Sequence, residues 1–338
     1  MAGAGRGHLG ASPRALFAGL CTLDIIQGVT RMPGRNEKVT ARRQVIAAGG
    51  PATNAAVTFA FLGGQATLLT GVGGHPLALG MHADLRQAHV TLIDVAGDDD
   101  APPAVSSIIV TQGTGDRCVV STNAAGRDVR PPPAVGSTVG SALGDLVEAA
   151  DVVLIDGHHP ALALAAARLA RARGRPCILD GGSWKAHTPD LLPHVDIAIC
   201  SADFRPPGLA TNADVLDALL DEGVRWAAVT DGPRPVRWAC GASGGGASGG
   251  VASGGARGEV PVPAVDAADT LGAGDIFHGA FAHAIAGVAM AGLTRDGVAT
   301  AGPESFSSGL RFAALVAAHS CRTFGTRSWM ACWPPGDE

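Results

Sequence analysis

The sequence predicts a three-layer α/β domain: a central, mostly parallel sheet between helices, with a small β-sheet lid. Three observations carry this. Short apolar runs recur along the chain (LFAGLCTLDII, ATLLTGVG, DVVLIDG, PCILDGG, VDIAICS and WAAVTDG), and small or acidic residues close most of them. Alanine- and leucine-rich segments of helical spacing, such as ALALAAARLARARG and ADVLDALLDEG, lie between them. That alternation implies parallel strands covered on both faces, with ligands at the strands' carboxyl ends. Two further segments break the alternation and supply the lid.

Taken in order, residues 1–13 are expected to be a disordered tail, and 14–338 a single domain. Arg14 precedes ALFAGLCTL, but no small-x-small cleavage site follows and Asp24 comes soon after. The stretch therefore reads as a buried first strand rather than a signal segment, with Asp24 ending it. A carboxylate there can accept two hydroxyl hydrogens. Residues 35–48 look extended, as does 102–123, where QGTGD separates two β-rich arms. Together they predict a lid spanning about 28–48 and 98–125. Between them, Gly49-Gly50-Pro51-Ala52-Thr53-Asn54 precedes the helical AAVTFAFL. Pro51 suits the first helical position, which puts Asn54 on the first turn, facing either a cap or a sugar hydroxyl. Thr230-Asp231-Gly232 closes a later strand as a turn that can face a nucleotide. Residues 241–258 form a Gly/Ser-rich tract, expected to be a flexible loop without a chemical role.

The stretch DTLGAGDIFHGAF (269–281) is the most chemically specific. Ile276, Phe277, Ala280, Phe281, Ala284 and Ile285 recur at helical spacing, so a helix begins near Gly274. Its first backbone N–H groups have no intrahelical acceptor, and the small residues Gly272, Ala273 and Gly274 let an anion approach them. Asp275 sits on that first turn. A carboxylate beside an anion site either caps the helix or accepts a proton from a hydroxyl that attacks a bound phosphate.

Composition excludes several classes. With 46% apolar and 16% charged residues, the 338-residue chain can build a large core. A net charge of −5 argues against a nucleic-acid or anionic-membrane surface. Seven cysteines without a CxxC pair suit buried thiols in a reducing cytoplasm. His158/His159 and His278/His283 lack zinc spacing. GVGGHP lacks the third glycine of a dinucleotide fingerprint, and no GxxxxGK[ST] occurs.

DTLGAGD, GGPATN and Asp24, in this order and separation from about residue 15 to 330, resemble the ribokinase/PfkB carbohydrate kinases. LCTLDII, TGDRCVV and RFAALVAAHSCRTFGTR resemble the ketohexokinase-like branch, which includes sulfofructose kinases. The resemblance implies a ribokinase-like fold and transfer of the γ-phosphoryl group of ATP, with Mg²⁺, to a primary hydroxyl of a ketose or modified ketose. It implies Asp275 as catalytic base and Gly272, Ala273 and Gly274 as the anion hole. Asp24, Gly50 and Asn54 would hold the sugar, and Arg117, in the lid turn, would reach toward the phosphates. Thr230 and Gly232 match part of a nucleotide turn, and Lys185 faces either the phosphates or solvent. Asp269 and the loop around Gly325 fall where some members bind a monovalent cation, so K⁺ is left open. Homodimerisation through the lid is implied as well.

The chain departs from the family at three points. Pro51 stands where many members have a sugar-contacting Lys or Asn. Ser201-Ala202-Asp203-Phe204 replaces the magnesium-linked NxxE, and Pro235 replaces the last glycine of TxGxxG. Two alternatives stay open: a same-fold kinase for a nucleoside or sugar phosphate, and a catalytically idle sensor. A nucleoside would want an aromatic platform that the lid segments lack. A sugar phosphate would use Arg35, Lys38, Arg42 and Arg43, some of which strand alternation would turn inward.

Overall fold

The structure, a computed structural model, describes residues 12–334 apart from 98, 128, 132–141, 242–254 and 291–301. Most of the expected tail and most of the Gly/Ser tract therefore lie outside the described residues.

Two sheets form. The large one has nine strands: β1 (Arg14–Ala18), β4 (Gln65–Thr70), β5 (Val90–Asp94), β8 (Val152–Ile155), β9 (Cys177–Gly181), β10 (Ile197–Ser201), β11 (Trp226–Asp231), β12 (Arg234–Cys240) and β13 (Arg257–Val260). Their order is β13-β12-β11-β10-β9-β8-β1-β4-β5. All pairings are parallel except the β11-β12-β13 edge, which is antiparallel. The end of the tract read as loop, Arg257–Gly258, belongs to β13.

The β1 run shows why the central strands read as unbroken apolar sequence. Ala15 and Phe17 belong to one core, with α1 (Pro51–Phe61), α7 (Ala273–Met290) and α8 (Pro303–Ser320). Leu16 and Ala18 belong to the other, with α3 (Ala142–Ala149), α4 (Pro160–Ala172) and α6 (Asn212–Asp221). A strand covered on both faces has no polar alternation to show.

The small sheet has the order β3-β2-β6-β7, from β2 (Thr22–Val29), β3 (Arg43–Gly49), β6 (Val105–Thr111) and β7 (Arg117–Ser121). Phe324 is buried with Ile26, Ile108 and Val110, joining this lid to the main body.

Two expectations are corrected here. LFAGLCTLDII is not one strand. β1 stops at Ala18, and the chain crosses at Gly19–Cys21 into the lid, so Asp24 lies inside β2 opposite Ala47 and Ser106. The cause is Asp156, just after β8. Its carboxylate accepts the Leu20 N–H at 2.8 Å and lies where a Cβ on Gly19 would stand. The first lid arm is extended only from Arg43; Arg35, Lys38 and Arg42 precede the strand and are exposed, so no alternation turns them inward. Arg43 is exposed too, with its guanidinium 5.9 Å from the Phe324 ring centre.

Candidate active site

Asp275 occupies the first turn of α7, as the apolar spacing behind it requires. Gly272, at φ 71°, turns the chain into that helix, and Ile276 N–H donates to the Gly272 carbonyl at 2.8 Å. Thr326 packs against Gly272 so closely that an added Cβ would meet its methyl at 2.9 Å. Ala273 N–H makes a long 3.4 Å bond to the Thr270 carbonyl. Gly274 is exposed, and nothing lies within 4 Å of the place its Cβ would take. The helix mouth is thus open at Gly274, where the dipole favours an anion.

Gly50, at φ 94°, starts α1, and Pro51 takes its first turn as expected. Asn54 consequently points at α7: its Nδ2 donates to Asp275 Oδ2 at 2.8 Å, across 221 residues of sequence. Asn54 Oδ1 is buried without a hydrogen-bond partner. A buried amide oxygen left unpaired is costly, and this one belongs to the side chain that grips Asp275.

Asp24 completes the group from the lid side. Its Oδ1 accepts the Thr22 hydroxyl at 2.6 Å. Gly49 must be glycine to admit it, since an added Cβ would lie 1.9 Å from Asp24 Oδ2. Burial raises the Asp24 carboxyl above its usual range, against the hydrogen bonds from Thr22 and Ser106 and the charge of Arg327. Asp275 is pushed up to about 7, first by loss of water, then by Asp180; Asn54 and His278 act in the opposite direction, and Asp24 adds a small upward push.

Other expected residues fall around this centre. Arg117 opens β7 and reaches across to the 269–272 loop, its Nη1 donating to the Thr270 hydroxyl at 2.6 Å. Lys185 Nζ lies 3.5 Å from the Asp156 carbonyl and 3.4 Å from that of Ser183. Thr230 is the penultimate residue of β11, its hydroxyl 3.4 Å from the Cys200 carbonyl, and Gly232 turns the chain at φ 56°. Asp269 ties two loops together: Oδ1 accepts Leu271 N–H at 2.8 Å and Oδ2 accepts Gly325 N–H at 2.9 Å.

Sequence reasoning passed over several residues that build this site. Asp156 holds the backbone N–H groups of Leu20, Ala52 and His158, so one carboxylate fixes the crossing into the lid and the start of α1. Its signal was the Asp in DVVLIDG, at a strand's carboxyl end. Asp180, in PCILDGG, stands likewise and is buried. Arg327 carried no signal. Its Nη2 donates to the Ala48 carbonyl at 2.6 Å and pairs with Asp84 at 3.1 Å, while Nε and Nη1 are buried without a partner. A separate cavity of about 700 Å³ lies between β3 and the 322–328 loop, lined by Arg43, Val45, Ala268 and Phe324 among others. None of the Asp275 cluster lines it, so it is set apart from the site.

Comparison with known proteins agrees in extent. The pattern of the pfkB family carbohydrate kinases matches residues 13–331. A ribokinase of Bacillus subtilis (strain 168) is 22% identical over 315 residues, covering 92% of this chain and 94% of that protein. Ribokinase of Arabidopsis thaliana, solved with ribose and ATP, superposes with a TM-score of 0.70 at 21% identity, covering 93% of this chain and 94% of that one. Fructokinase of Xylella fastidiosa with bound ATP gives 0.67 at 22% identity, covering 93% of each.

Proposed function

Because the chain belongs to the pfkB family of carbohydrate kinases, we propose that it transfers the γ-phosphoryl group of ATP to a primary hydroxyl of a ketose or modified ketose, with Asp275 as the base. The observation that carries this reading is the Asn54–Asp275 pair. A carboxylate at the mouth of an anion-attracting helix is bonded to an amide whose buried oxygen has no partner. A sugar hydroxyl would satisfy Asn54 Oδ1 and place a neighbouring hydroxyl beside Asp275.

In the proposed reaction the acceptor's O–H proton passes to the Asp275 carboxylate as its oxygen bonds to the γ-phosphorus. The bond from that phosphorus to the β,γ-bridging oxygen breaks, and ADP leaves with the electron pair. A carboxyl raised toward neutrality is suited to such a transfer, since it can take up and return a proton there. The helix mouth at Gly272, Ala273 and Gly274 would admit the γ-phosphate, and Arg117 would add a fork-shaped cation from the lid. Thr230, Gly232 and Lys185 are assigned to the nucleotide side, and Asp24 and Gly50 to the sugar. Mg²⁺ would travel with the ATP phosphates, lowering their charge. Asp269 with the Gly325 loop is the proposed place for a K⁺.

Arg327 bears on the acceptor. It supplies positive charge beside Asp24, with two guanidinium nitrogens unpartnered. That favours an acceptor carrying an anionic group, such as a sulfonated ketose, over a nucleoside. The exposed Ile46 and Val119 on the edge strands of the lid suit pairing with a second copy.

The test is turnover by Asp275→Asn in an ATP-consumption screen of hexoses, pentoses and sulfonated ketoses. Retained sugar binding with kcat reduced by about 10²–10⁴-fold, the range for loss of a general base, is the expected result. Unchanged turnover would refute the assignment.

A further inference from the structure

We propose that His278, clamped as an imidazolium between α7, β10 and β9, is a positioning residue that holds the charge state of Asp275, with Asp180 as its buried counter-ion. The inference rests on Asp275 being the base. It starts from hydrogen-bond geometry. His278 lies one turn after Asp275 on α7, and both its ring nitrogens face carbonyl oxygens: Nδ1 is 2.7 Å from the Gly274 carbonyl and Nε2 is 3.0 Å from that of Ile199 on β10. A neutral imidazole has one N–H, so in either tautomer one of these contacts would set a lone pair against a lone pair. Only the doubly protonated ring donates to both.

Such a cation needs a buried counter-ion, and Asp180 is placed to be one: burial raises its carboxyl, and the His278 charge acts to lower it. Asp180 Oδ2, at the end of β9, is 3.4 Å from His278 Nδ1. That oxygen is buried and has no hydrogen-bond partner. Side-chain exposure is 5% for His278 and 6% for Asp180, so the attraction between them is little screened.

The other charged groups around the pair are Asp156 after β8, Lys185 and His158 from flanking loops, and Asp24 from the lid. Asp156 and Lys185 act on Asp180 with opposite signs. Toward Asp275 the pair is divided: Asp180 raises its carboxyl and His278 lowers it. A charged His278 offsets part of the Asp180 effect, and burial remains the largest upward cause. Without that charge Asp275 would face Asp180 uncompensated, and the base would be protonated over more of the neutral range.

Two variants with opposite signs test this. His278→Gln leaves Asp180 in place and is expected to move the acidic limb of the kcat/KM–pH profile to higher pH. Asp180→Asn is expected to move it to lower pH. A purely structural role would lower activity at all pH values and leave the limb in place. The ¹⁵N shifts of the His278 ring in the unsubstituted enzyme at pH 7 are a second readout that needs neither turnover nor a folded variant. Two protonated nitrogens are expected there; a single neutral tautomer, or limbs that stay put or move in the same direction, would overturn the proposal. Turnover retained by Asp275→Asn would instead remove the premise, whatever the ring shifts show.

Discussion

Replacing Asp275 by Asn should make the ligand-free protein more stable at pH 8. The Asp275 carboxyl is raised from 3.8 to about 7, so the native state holds a proton that the unfolded chain has already released between those values. Wherever the native state binds more protons, stability falls as pH rises, so the loss accumulates from about pH 4 to pH 7 and then levels off. At about 1.36 kcal/mol per pH unit, moving from 3.8 to about 7 corresponds to about 4 kcal/mol as an upper limit. Asp275 is partly open to solvent, which lowers this to about 2–4 kcal/mol. At about 1–2 °C per kcal/mol for a chain this long, the gain in Tm is about 3–6 °C. Asparagine is near-isosteric, and its side-chain oxygen can keep the bond from Asn54 Nδ2, so the substitution opens no cavity. The assay is urea or thermal unfolding of both proteins, without ligands, from pH 5 to 8. The gap should widen up to about pH 7 and then hold. A variant equally or less stable at pH 8, or a gap independent of pH, would show that Asp275 is not held under electrostatic stress.

Two further outcomes follow from contacts. Gly49→Ala places a Cβ 1.9 Å from Asp24 Oδ2 and must displace that carboxylate; the sugar KM should rise at least about tenfold, while that for ATP stays near its original value, and an equal change in both in steady-state assays would contradict the assignment of Asp24 to the sugar. Arg117→Ala removes an exposed guanidinium that hydrogen-bonds the Thr270 hydroxyl; unfolding should shift by little, but kcat/KM for ATP should fall by about 10–100-fold, the worth of a charge-assisted contact, with Lys a poor substitute.

The core strands were legible because burial on both faces leaves unbroken apolar runs, as in VVLI and IAIC. The helix mouth was legible because DTLGAGD packs turn, small residues and acid into one local stretch. What escaped the sequence was long-range. Nothing in LFAGLCTLDII marks a break at Gly19, since the residue that causes it, Asp156, is 137 positions away. Apolar character continues across the crossing, because the lid buries Ile26 as fully as the main sheet buries Phe17. Arg327 escaped for a related reason: its partners, Ala48 and Asp84, are more than 240 residues upstream. Among the described residues no helix is long and apolar enough to cross a bilayer.

The break at Gly19 divides the proposed acceptor seat between two sheets. Asp24 rides on the small sheet, whereas Asn54 and Asp275 stand on helices packed against the large one. A polyol long enough to touch both would act as a strut between them, drawing Arg117 over the nucleotide as it did so. Water, without a chain of hydroxyls to touch both sides at once, would not brace the two halves in this way. The same division that hid the strand boundary would therefore guard ATP against idle hydrolysis.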